Sequence, residues 1–240
     1  MIIQGDMHTH TIASTHAYST ILENCKCASE YGLKGLAMTD HAIAMPDSPH
    51  IWHFTNLSCL PRKICGVTVL RGAEVDIMGP DGALDMDGAD LSSLEWVVAS
   101  MHQPCFRPQD SSAHTKAYLN LCKNPCVDVI GHCTTTAFPF DYEKCVKAFK
   151  EYGKIVEINE SSYICKRSPK ENYVRLLELC KKYEVPVVVD SDSHFCQRIG
   201  QVPEVMKIIE ETDFPESLVL NSDWEKIREH VLKKHPNIEI

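Results

Sequence analysis

Seven short runs of apolar residues, each followed by a segment with the spacing of an amphipathic helix, recur along this chain. The runs cover Ile2–Met7, Leu36–Thr39, Val67–Val75, Trp96–Met101, Val127–Ile130, Ile155–Ile158 and Val185–Val189. They lack the strict alternation of half-exposed strands, and near-continuous runs are typical of strands that are buried on both faces. Because a parallel sheet covered by helices buries both faces of its strands, the pattern predicts an α/β fold.

Four of the helices between these runs have recognisable ends. Their start signals are Thr20 with Glu23, Asp141, Ser168 with Pro169 and Glu171, and Ser222 with Glu225. A Ser, Thr or Asp side chain that accepts from free N–H groups stabilises the first turn, and a Glu three residues later completes a capping box. We expect the first two helices to stop at Gly32 and Gly153.

Seven β/α repeats without a Gly/Ser-rich linker favour a closed or nearly closed parallel barrel, with an open doubly wound sheet as the alternative. No strand is followed by a GxGxxG or GxxxxGK loop, so the usual nucleotide-binding signature of the open sheet is absent. We therefore predict one barrel domain over residues 1–240. The long connections 41–63 and 79–90 are expected to be binding loops or lids.

Composition narrows the classes of partner. The 240 residues carry a net charge of −9, with a pI near 5.7, which argues against broad electrostatic binding of nucleic acid. No apolar run approaches the ~20 residues of a bilayer span, and the first residues lack a secretory signal, so we expect a cytoplasmic protein without a membrane partner. The twelve cysteines include no CxxC pair and are expected to be free thiols. The oligomeric state stays open.

Imidazoles and carboxylates follow the predicted strands one after another. They are His8 and His10, Asp40 and His41, Glu74, His102, His132, Glu157, and Asp192 with His194, and His16 lies in the first connection. In parallel α/β folds the chemistry lies at the carboxyl ends of the strands, so these side chains should meet on one rim.

This concentration of ligand types predicts a metal site. His8 and His10 flank a single residue, and alternate side chains of an extended segment point the same way. So many polar groups around one cavity would be left unpaired without a cation. Imidazoles and carboxylates without a thiolate suit zinc, iron or manganese and argue against a structural Cys₄ zinc site.

The same residues resemble the PHP (polymerase and histidinol phosphatase) domain of metal-dependent phosphoesterases, above all its small stand-alone bacterial members. The resemblance implies a distorted seven-stranded (β/α)7 barrel with three divalent metal ions, usually zinc, with manganese or iron as substitutes. It implies one group of His8, His10, Glu74 and Asp192, a second of Glu74, His102 and His132, and a third of His16, His41 and His194.

These expectations define a reaction. A trinuclear-metal phosphatase would hydrolyse a small phosphorylated metabolite, a phosphate monoester, by attack of a metal-bridging hydroxide on phosphorus. Asp192, Glu74 and His194 are the predicted catalytic residues, and Asp192 is best placed to pass a proton to the leaving alcohol. Arg107 and Arg167 are the predicted phosphate-binding residues, because a guanidinium matches the geometry of phosphate.

Two other functions share part of this pattern. An amidohydrolase also opens with HxH on a barrel, but it is normally longer and bridges its metals with a lysine, which no strand end here offers. A non-catalytic regulatory module that binds metal would saturate the ions with protein ligands and leave no position for water. Within the phosphoesterases, a 3′–5′ exonuclease is disfavoured by the acidic composition.

Overall fold

All seven predicted runs form parallel strands in the computed structural model, which describes residues 1–240. The strands are β1 (Gly5–Thr9), β2 (Gly35–Met38), β4 (Val67–Asp76), β5 (Trp96–Ser100), β6 (Val129–Ile130), β7 (Ile155–Asn159) and β8 (Val187–Asp190), and β3 (Lys63–Ile64) pairs antiparallel with β4. Strand β3 was not predicted, because two residues are too short to show a periodicity.

Nine α-helices connect or follow these strands. They are α1 (Ile21–Glu30), α2 (Trp52–Thr55), α3 (Gly88–Ser92), α4 (Ser111–Leu121), α5 (Tyr142–Glu151), α6 (Glu160–Ile164), α7 (Lys170–Tyr183), α8 (Pro203–Glu211) and α9 (Trp224–Lys234). The irregular connection predicted over 41–63 contains α2, and the connection over 79–90 leads into α3. None of the helices is long and apolar enough to cross a membrane.

The helix caps confirm two of the four start signals and correct two. Thr20 and Glu23 form the capping box of α1, and the Asp141 side chain caps α5. Asp223, one residue after the predicted Ser222, caps α9 by accepting from the Glu225 N–H. Helix α7 begins without a side-chain cap, because its N-cap residue is Pro169 and not the predicted Ser168, whose hydroxyl accepts a hydrogen bond from Thr134.

The parallel strands follow the order β1-β2-β4-β5-β6-β7-β8, and they curve into a nearly closed barrel. Backbone bonding across the gap between β8 and β1 consists of a single bridge between Thr9 and Ser193, beside which the His10 N–H donates to the Ser193 carbonyl at 2.9 Å. The Asp190 carboxylate accepts from the Met7 N–H at 2.8 Å across the same gap. The predicted distorted seven-stranded barrel is therefore confirmed.

Side chains from every parallel strand fill the inside of the barrel. This inner cluster contains Met7, Ala37, Leu70, Trp96, Val98, Val129, Ile155 and Val188, and it is closed at the amino ends of the strands by Trp224, Ile227 and Val231 of α9. Gly35 lets α9 approach, since a Cβ there would lie 2.0 Å from the Trp224 ring. Because α9 closes the amino end of the barrel, the opposite rim is left for polar side chains.

A larger outer core lies between the sheet and the surrounding helices. Leu36, Val97 and Val156 are among the strand residues that face outward into it, against helix residues such as Phe149 and Leu177. All twelve cysteines are free thiols, as the composition predicted, and five of them are buried.

Candidate metal centre

The carboxyl ends of the strands bring the predicted ligands together on one rim. His8 Nε2 lies 3.3 Å from Glu74 Oε2, although the two residues come from β1 and β4. His10 Nε2 lies 3.1 Å from Asp192 Oδ1, just past β8. The imidazole of His194 packs on that of His10 with 4.3 Å between ring centroids. Residues almost 190 positions apart in the chain thus share one cavity.

Glu74 lies in the middle of the cluster and presents its two carboxylate oxygens to two sets of histidines. Oε2 lies 3.3 Å from His8 Nε2 and 2.9 Å from His41 Nδ1. Oε1 lies 3.0 Å from His132 Nε2 and 3.5 Å from His102 Nε2. Parallel pairing of β4 with β5 and a backbone bridge between His41 and Glu74 fix the position of Glu74 at the rim of the barrel. One carboxylate thereby faces two adjacent ligand groups.

His16 lies at the open side of the cluster. Its ring packs against those of His194, at 4.3 Å between centroids, and His41, at 5.2 Å. The side chain is 51% exposed, and its Nδ1 lies 2.6 Å from Asp47 Oδ2. Asp47 therefore joins this part of the cluster, although it was not among the predicted ligands.

Four sets of side chains have ligand atoms that all lie within 4.8 Å of one another. The sets are His10 with His41 and His194, His8 with His10 and Glu74, His16 with His41 and Asp47, and His41 with Glu74 and His102. Every histidine in these sets is a predicted ligand. His10 and His41 recur between sets, so the cluster is more continuous than the three separate groups expected from the resemblance.

Several buried atoms of the cluster have no hydrogen-bond partner within the protein. They are His8 Nε2, His10 Nδ1, His41 Nδ1, Glu74 Oε2 and His194 Nε2. His41 Nδ1 and Glu74 Oε2 lie 2.9 Å apart, but their angles do not allow a hydrogen bond. A buried polar atom without a partner costs free energy, so a concentration of such atoms at one point calls for a ligand. Nitrogen and carboxylate oxygen donors are what zinc, manganese and iron bind, so the residues present fit divalent cations.

Metal binding needs deprotonated ligands, and the side chains of the cluster differ in this respect. Burial would raise the pKa values of Glu74 and Asp192, but the surrounding imidazoles outweigh it and hold both pKa values well below normal. Burial and the neighbouring His41 lower the pKa of His10 to about 3. For His41 the Glu74 carboxylate outweighs burial and raises the pKa to about 9. Burial would also lower the pKa of His8, but Glu157 and Glu74 outweigh it and raise that pKa well above normal. Without a cation these imidazoles hold the positive charge that offsets the carboxylates, and a bound cation would displace their protons.

Carboxylates behind the histidines hold their rings in place. Glu157 in the middle of β7 is buried, with Oε1 2.6 Å from His8 Nδ1, and it accepts from the His132 N–H at 2.5 Å. Asp76 Oδ1 lies 2.8 Å from His102 Nδ1. Such contacts fix the tautomer and orientation of a ligating imidazole. Glu157 was predicted near a strand end without a role, and Asp76 was not among the predicted site residues.

Asp40 does not orient the His41 ring, although it is the next residue. Its carboxylate accepts from the Thr11 N–H at 2.7 Å and from the Ser14 hydroxyl at 2.9 Å, and the Ser14 hydroxyl accepts from the His41 N–H. His53 Nε2 lies 3.2 Å from the same carboxylate. Asp40 thus fixes the loop after β1 and acts on His41 only through its backbone.

Two clefts flank the cluster, and Arg167 lines both. One, of about 630 Å³, is bordered by His16, Asp192 and His194, and the other, of about 320 Å³, by His102 and His132. Arg167 Nη2 donates to Ser161 Oγ at 3.3 Å and lies 3.7 Å from Asp192 Oδ2. This arginine reaches the cluster from the segment that follows β7.

Arg107, the other predicted phosphate-binding residue, is exposed and lines neither cleft. The structure brings Arg167 to the centre and does not bring Arg107 there. A role for Arg107 stays a prediction without a supporting contact.

Comparisons with known sequences agree with this geometry. The PHP domain model matches residues 6–161. A probable phosphatase of Clostridium novyi is 44% identical over 230 residues, which cover 95% of this chain and 94% of that protein. A probable phosphatase of Thermoanaerobacter sp. strain X514 is 45% identical over 235 residues, which cover 97% of this chain and 96% of that protein.

Solved structures of low sequence identity share the barrel. The histidinol phosphate phosphatase of Lactococcus lactis, crystallised with zinc, L-histidinol and phosphate, superposes with a TM-score of 0.59 at 15% identity, covering 90% of this chain and 95% of that one. A putative histidinol phosphatase from Listeria monocytogenes also gives 0.59 at 18% identity, covering 82% of this chain and 97% of that one. The family match and the close relatives confirm the resemblance found in the sequence: the chain belongs to the PHP domain family.

Proposed function

We propose that this protein is a metal-dependent phosphoesterase that hydrolyses a small phosphate monoester. The observation that carries the proposal is the position of Glu74, whose two oxygens face two separate sets of histidines, His8 with His41 and His102 with His132. In the first set the facing nitrogens, His8 Nε2 and His41 Nδ1, have no hydrogen-bond partner. Shared carboxylates of this kind hold pairs of catalytic metal ions in phosphatases. The names of the close relatives as probable phosphatases support the same activity.

Nine side chains would hold three divalent cations in this proposal. His8, His10, Glu74 and Asp192 form the first site, Glu74, His102 and His132 the second, and His16, His41 and His194 the third. The donor types suit zinc first, with manganese or iron as alternatives. Bound divalent cations supply Lewis acidity and lower the pKa of water toward neutrality.

Arg167 would bind the phosphoryl group from the protein side. Its guanidinium borders both clefts and is held next to Asp192, 3.7 Å from Oδ2. A guanidinium can donate two parallel hydrogen bonds to the oxygens of a phosphate and neutralise part of the charge that develops there. The side chain is 47% exposed, so it can reach a bound substrate.

Asp192 would move the proton of the reaction. A new bond forms between water oxygen and phosphorus, the bond from phosphorus to the ester oxygen breaks, and the leaving alkoxide must receive a proton. Asp192 is ionised at neutral pH, because its pKa is well below normal, so it can accept a proton from the attacking water and pass it on. Asn159 donates to its Oδ2 at 3.2 Å and holds the carboxylate in place.

A matched pair of substitutions tests this role. Asp192 and Asp213 both have positive φ, 51° and 47°, which asparagine tolerates, and Asp213 is exposed on the surface. Asp192→Asn is expected to lower phosphate release from sugar, amino-alcohol and nucleoside phosphates by at least about a hundredfold, whereas Asp213→Asn serves as the control for charge and backbone.

Three results would overturn the proposal. Metal-loaded wild-type protein that hydrolyses no ester of the panel would favour a regulatory module. Turnover of amides or lactones in place of phosphate esters would favour the amidohydrolase class. Equal phosphate release by wild type and Asp192→Asn would remove Asp192 from the reaction.

A further inference from the structure

A second arginine lines the larger cleft beside the metal cluster. Arg198 belongs to the 3₁₀ turn Cys196–Arg198, which follows the predicted ligand His194, and it borders the same 630 Å³ cleft as Arg167. Asp192 is the only acidic residue that lines this cleft, and its carboxylate already contacts His10. The cleft therefore carries two guanidinium groups and one carboxylate that is part of the cluster.

The guanidinium of Arg198 makes no ion pair or side-chain hydrogen bond in the protein, although burial raises the pKa of nearby Glu160 and Arg198 opposes that shift. The guanidinium lies more than 4.0 Å from every carboxylate. The turn that carries it is nevertheless fixed, because the Cys196 N–H donates to Ser19 Oγ at 2.9 Å and the Gly200 N–H donates to Asp6 at 2.7 Å. A free charge on a fixed backbone is well placed to bind an anion.

Aromatic side chains stand at the mouth of the same cleft. Tyr18 is 74% exposed and Phe195 is 44% exposed, and both line it. The Tyr18 N–H donates to the His194 carbonyl at 2.8 Å, so Tyr18 is tied to the loop that carries the cluster. Exposed rings beside a polar cleft favour a flat or apolar ligand body, because its burial removes apolar surface from water.

The smaller cleft on the other side of Arg167 differs in charge and size. It measures 320 Å³, and Arg167 is the one cationic side chain besides the histidines among the residues that line it. A substrate with one phosphate could occupy either cleft. A substrate with a second negative group is matched only by the cleft that contains Arg198.

We propose that the substrates of this protein are phosphate monoesters that carry a second anionic group, a carboxylate or another phosphate, on a flat or apolar body. Arg167 binds the phosphate that is cleaved, Arg198 binds the second anion, and Tyr18 and Phe195 contact the body between them. This proposal rests on the proposed phosphatase function and adds the substrate class. Arg198 acts as a specificity residue and not as a catalytic one.

Matched aromatic esters test the proposal with the metal-loaded full-length protein. Para-carboxyphenyl phosphate and hydroquinone bisphosphate carry the second anion, and para-carbamoylphenyl phosphate and hydroquinone monophosphate are their neutral partners. Arg198→Ala is compared with wild type on each ester, so differences in leaving group cancel. Lys233→Ala, which removes an exposed charge from α9 at the closed end of the barrel, is the control.

Arg198→Ala is expected to lower kcat/KM for at least one anionic ester about tenfold, mainly by raising KM, as expected for loss of a charge-assisted contact. Its effect on the neutral partner should be less than about twofold. Arg198→Lys should recover part of the loss, which also excludes misfolding as the cause. The pair of esters in which Arg198→Ala selectively lowers kcat/KM, the carboxylate pair or the phosphate pair, identifies the second anion.

Equal effects on anionic and neutral partners, or no effect on either, would overturn the substrate class and leave the phosphatase function standing. Wild-type protein that hydrolyses none of the four esters, nor any ester of the wider panel, would overturn both proposals. An equal loss of preference in Lys233→Ala would show that the effect comes from net charge and not from the cleft, which also overturns the proposal.

Discussion

Glu157 Oε1 and His8 Nδ1 lie 2.6 Å apart, and both side chains are fully buried. The other nitrogen of His8, Nε2, faces Glu74 at 3.3 Å. The imidazole is therefore held from behind by one carboxylate while its free nitrogen points into the cluster. This arrangement selects the tautomer that can bind a cation through Nε2.

Replacing Glu157 with Gln should weaken metal binding without removing a ligand. An amide cannot stabilise the His8 ring as an anion does, and we expect the dissociation constant for zinc to rise by about 10- to 100-fold. Competition with a chelator of known affinity measures the change, and Glu178→Gln, an exposed exchange on α7, is the control. Unchanged zinc affinity in Glu157→Gln would show that the contact has no part in metal binding.

The two predicted phosphate-binding arginines should behave differently. Arg167 borders both clefts and Arg107 borders neither. We expect Arg167→Ala to lower kcat/KM for phosphate release by about 10- to 100-fold, since it removes charge-assisted bonds to the phosphoryl oxygens, and Arg107→Ala to have a clearly smaller effect. Steady-state kinetics on one phosphate monoester measures both. A larger loss in Arg107→Ala would reverse the assignment.

Gly35→Ala should destabilise the barrel by disturbing the packing of α9 against the amino ends of the strands. The new Cβ would lie 2.0 Å from the Trp224 ring, which has no room to shift inside the inner cluster. Overpacking of this kind costs about 1–3 kcal/mol in the free energy of unfolding. Denaturant unfolding measures the loss, and Gly88→Ala, where a Cβ meets nothing within 4 Å, is the matched control. Equal stability of the two variants would contradict the packing described.

Acid should weaken the attachment of α9. Burial would raise the pKa of Asp128, but His230 and Lys234 outweigh it and place the pKa below normal. Lys234 Nζ donates to Asp128 Oδ2 at 2.6 Å, and His230 Nε2 lies 3.0 Å from Oδ1. Because the folded-state pKa is lowered, the ionised carboxylate stabilises the fold above the unfolded pKa of ~4, and this contribution is lost as pH falls through the lower folded value.

The free energy of unfolding of wild type and Asp128→Asn, measured from pH 7 to pH 3, tests this point. Breaking a buried ion pair costs about 3–5 kcal/mol, and we expect about 2–3 kcal/mol at pH 7 because Lys234 is partly exposed. The difference should shrink below about pH 4. Acid also protonates the metal ligands, but it does so in both proteins and cancels in the difference. A difference that is constant over the whole range would contradict the assignment.

Most of the fold was predictable because its signals are local. Each parallel strand coincides with a short apolar run, and such a run indicates that both faces of the strand are covered. In the strand Ile155–Asn159, for example, all five residues are buried. The meeting of the candidate ligands was predictable for a related reason, since parallel strands end on one rim. His8 lies at the end of β1, and His132 and Asp192 follow β6 and β8. The cap of α9 differed by one residue, because neighbouring Ser222 and Asp223 carry equivalent signals.

The supporting carboxylates were not predictable from the same signals. Glu157 contacts His8 across 149 positions of the chain, and Asp76 contacts His102 across 26. Which face of a strand turns toward the cluster depends on the curvature of the closed sheet, which a run of apolar residues does not encode. Asp47 comes from an irregular loop, where no periodicity exists. Arg198 was missed because its role depends on a cleft that only the folded chain forms.

Phosphate release after removal and return of metal is the most direct test of the proposed function. The protein is treated with a chelator, dialysed, and assayed on a phosphate monoester before and after addition of zinc, manganese or iron(II). We predict that activity falls to background without metal and returns with at least one of the three ions, while Glu74→Gln stays inactive under both conditions. Full activity in the metal-free protein, or in Glu74→Gln, would contradict a metal-dependent phosphatase built around Glu74.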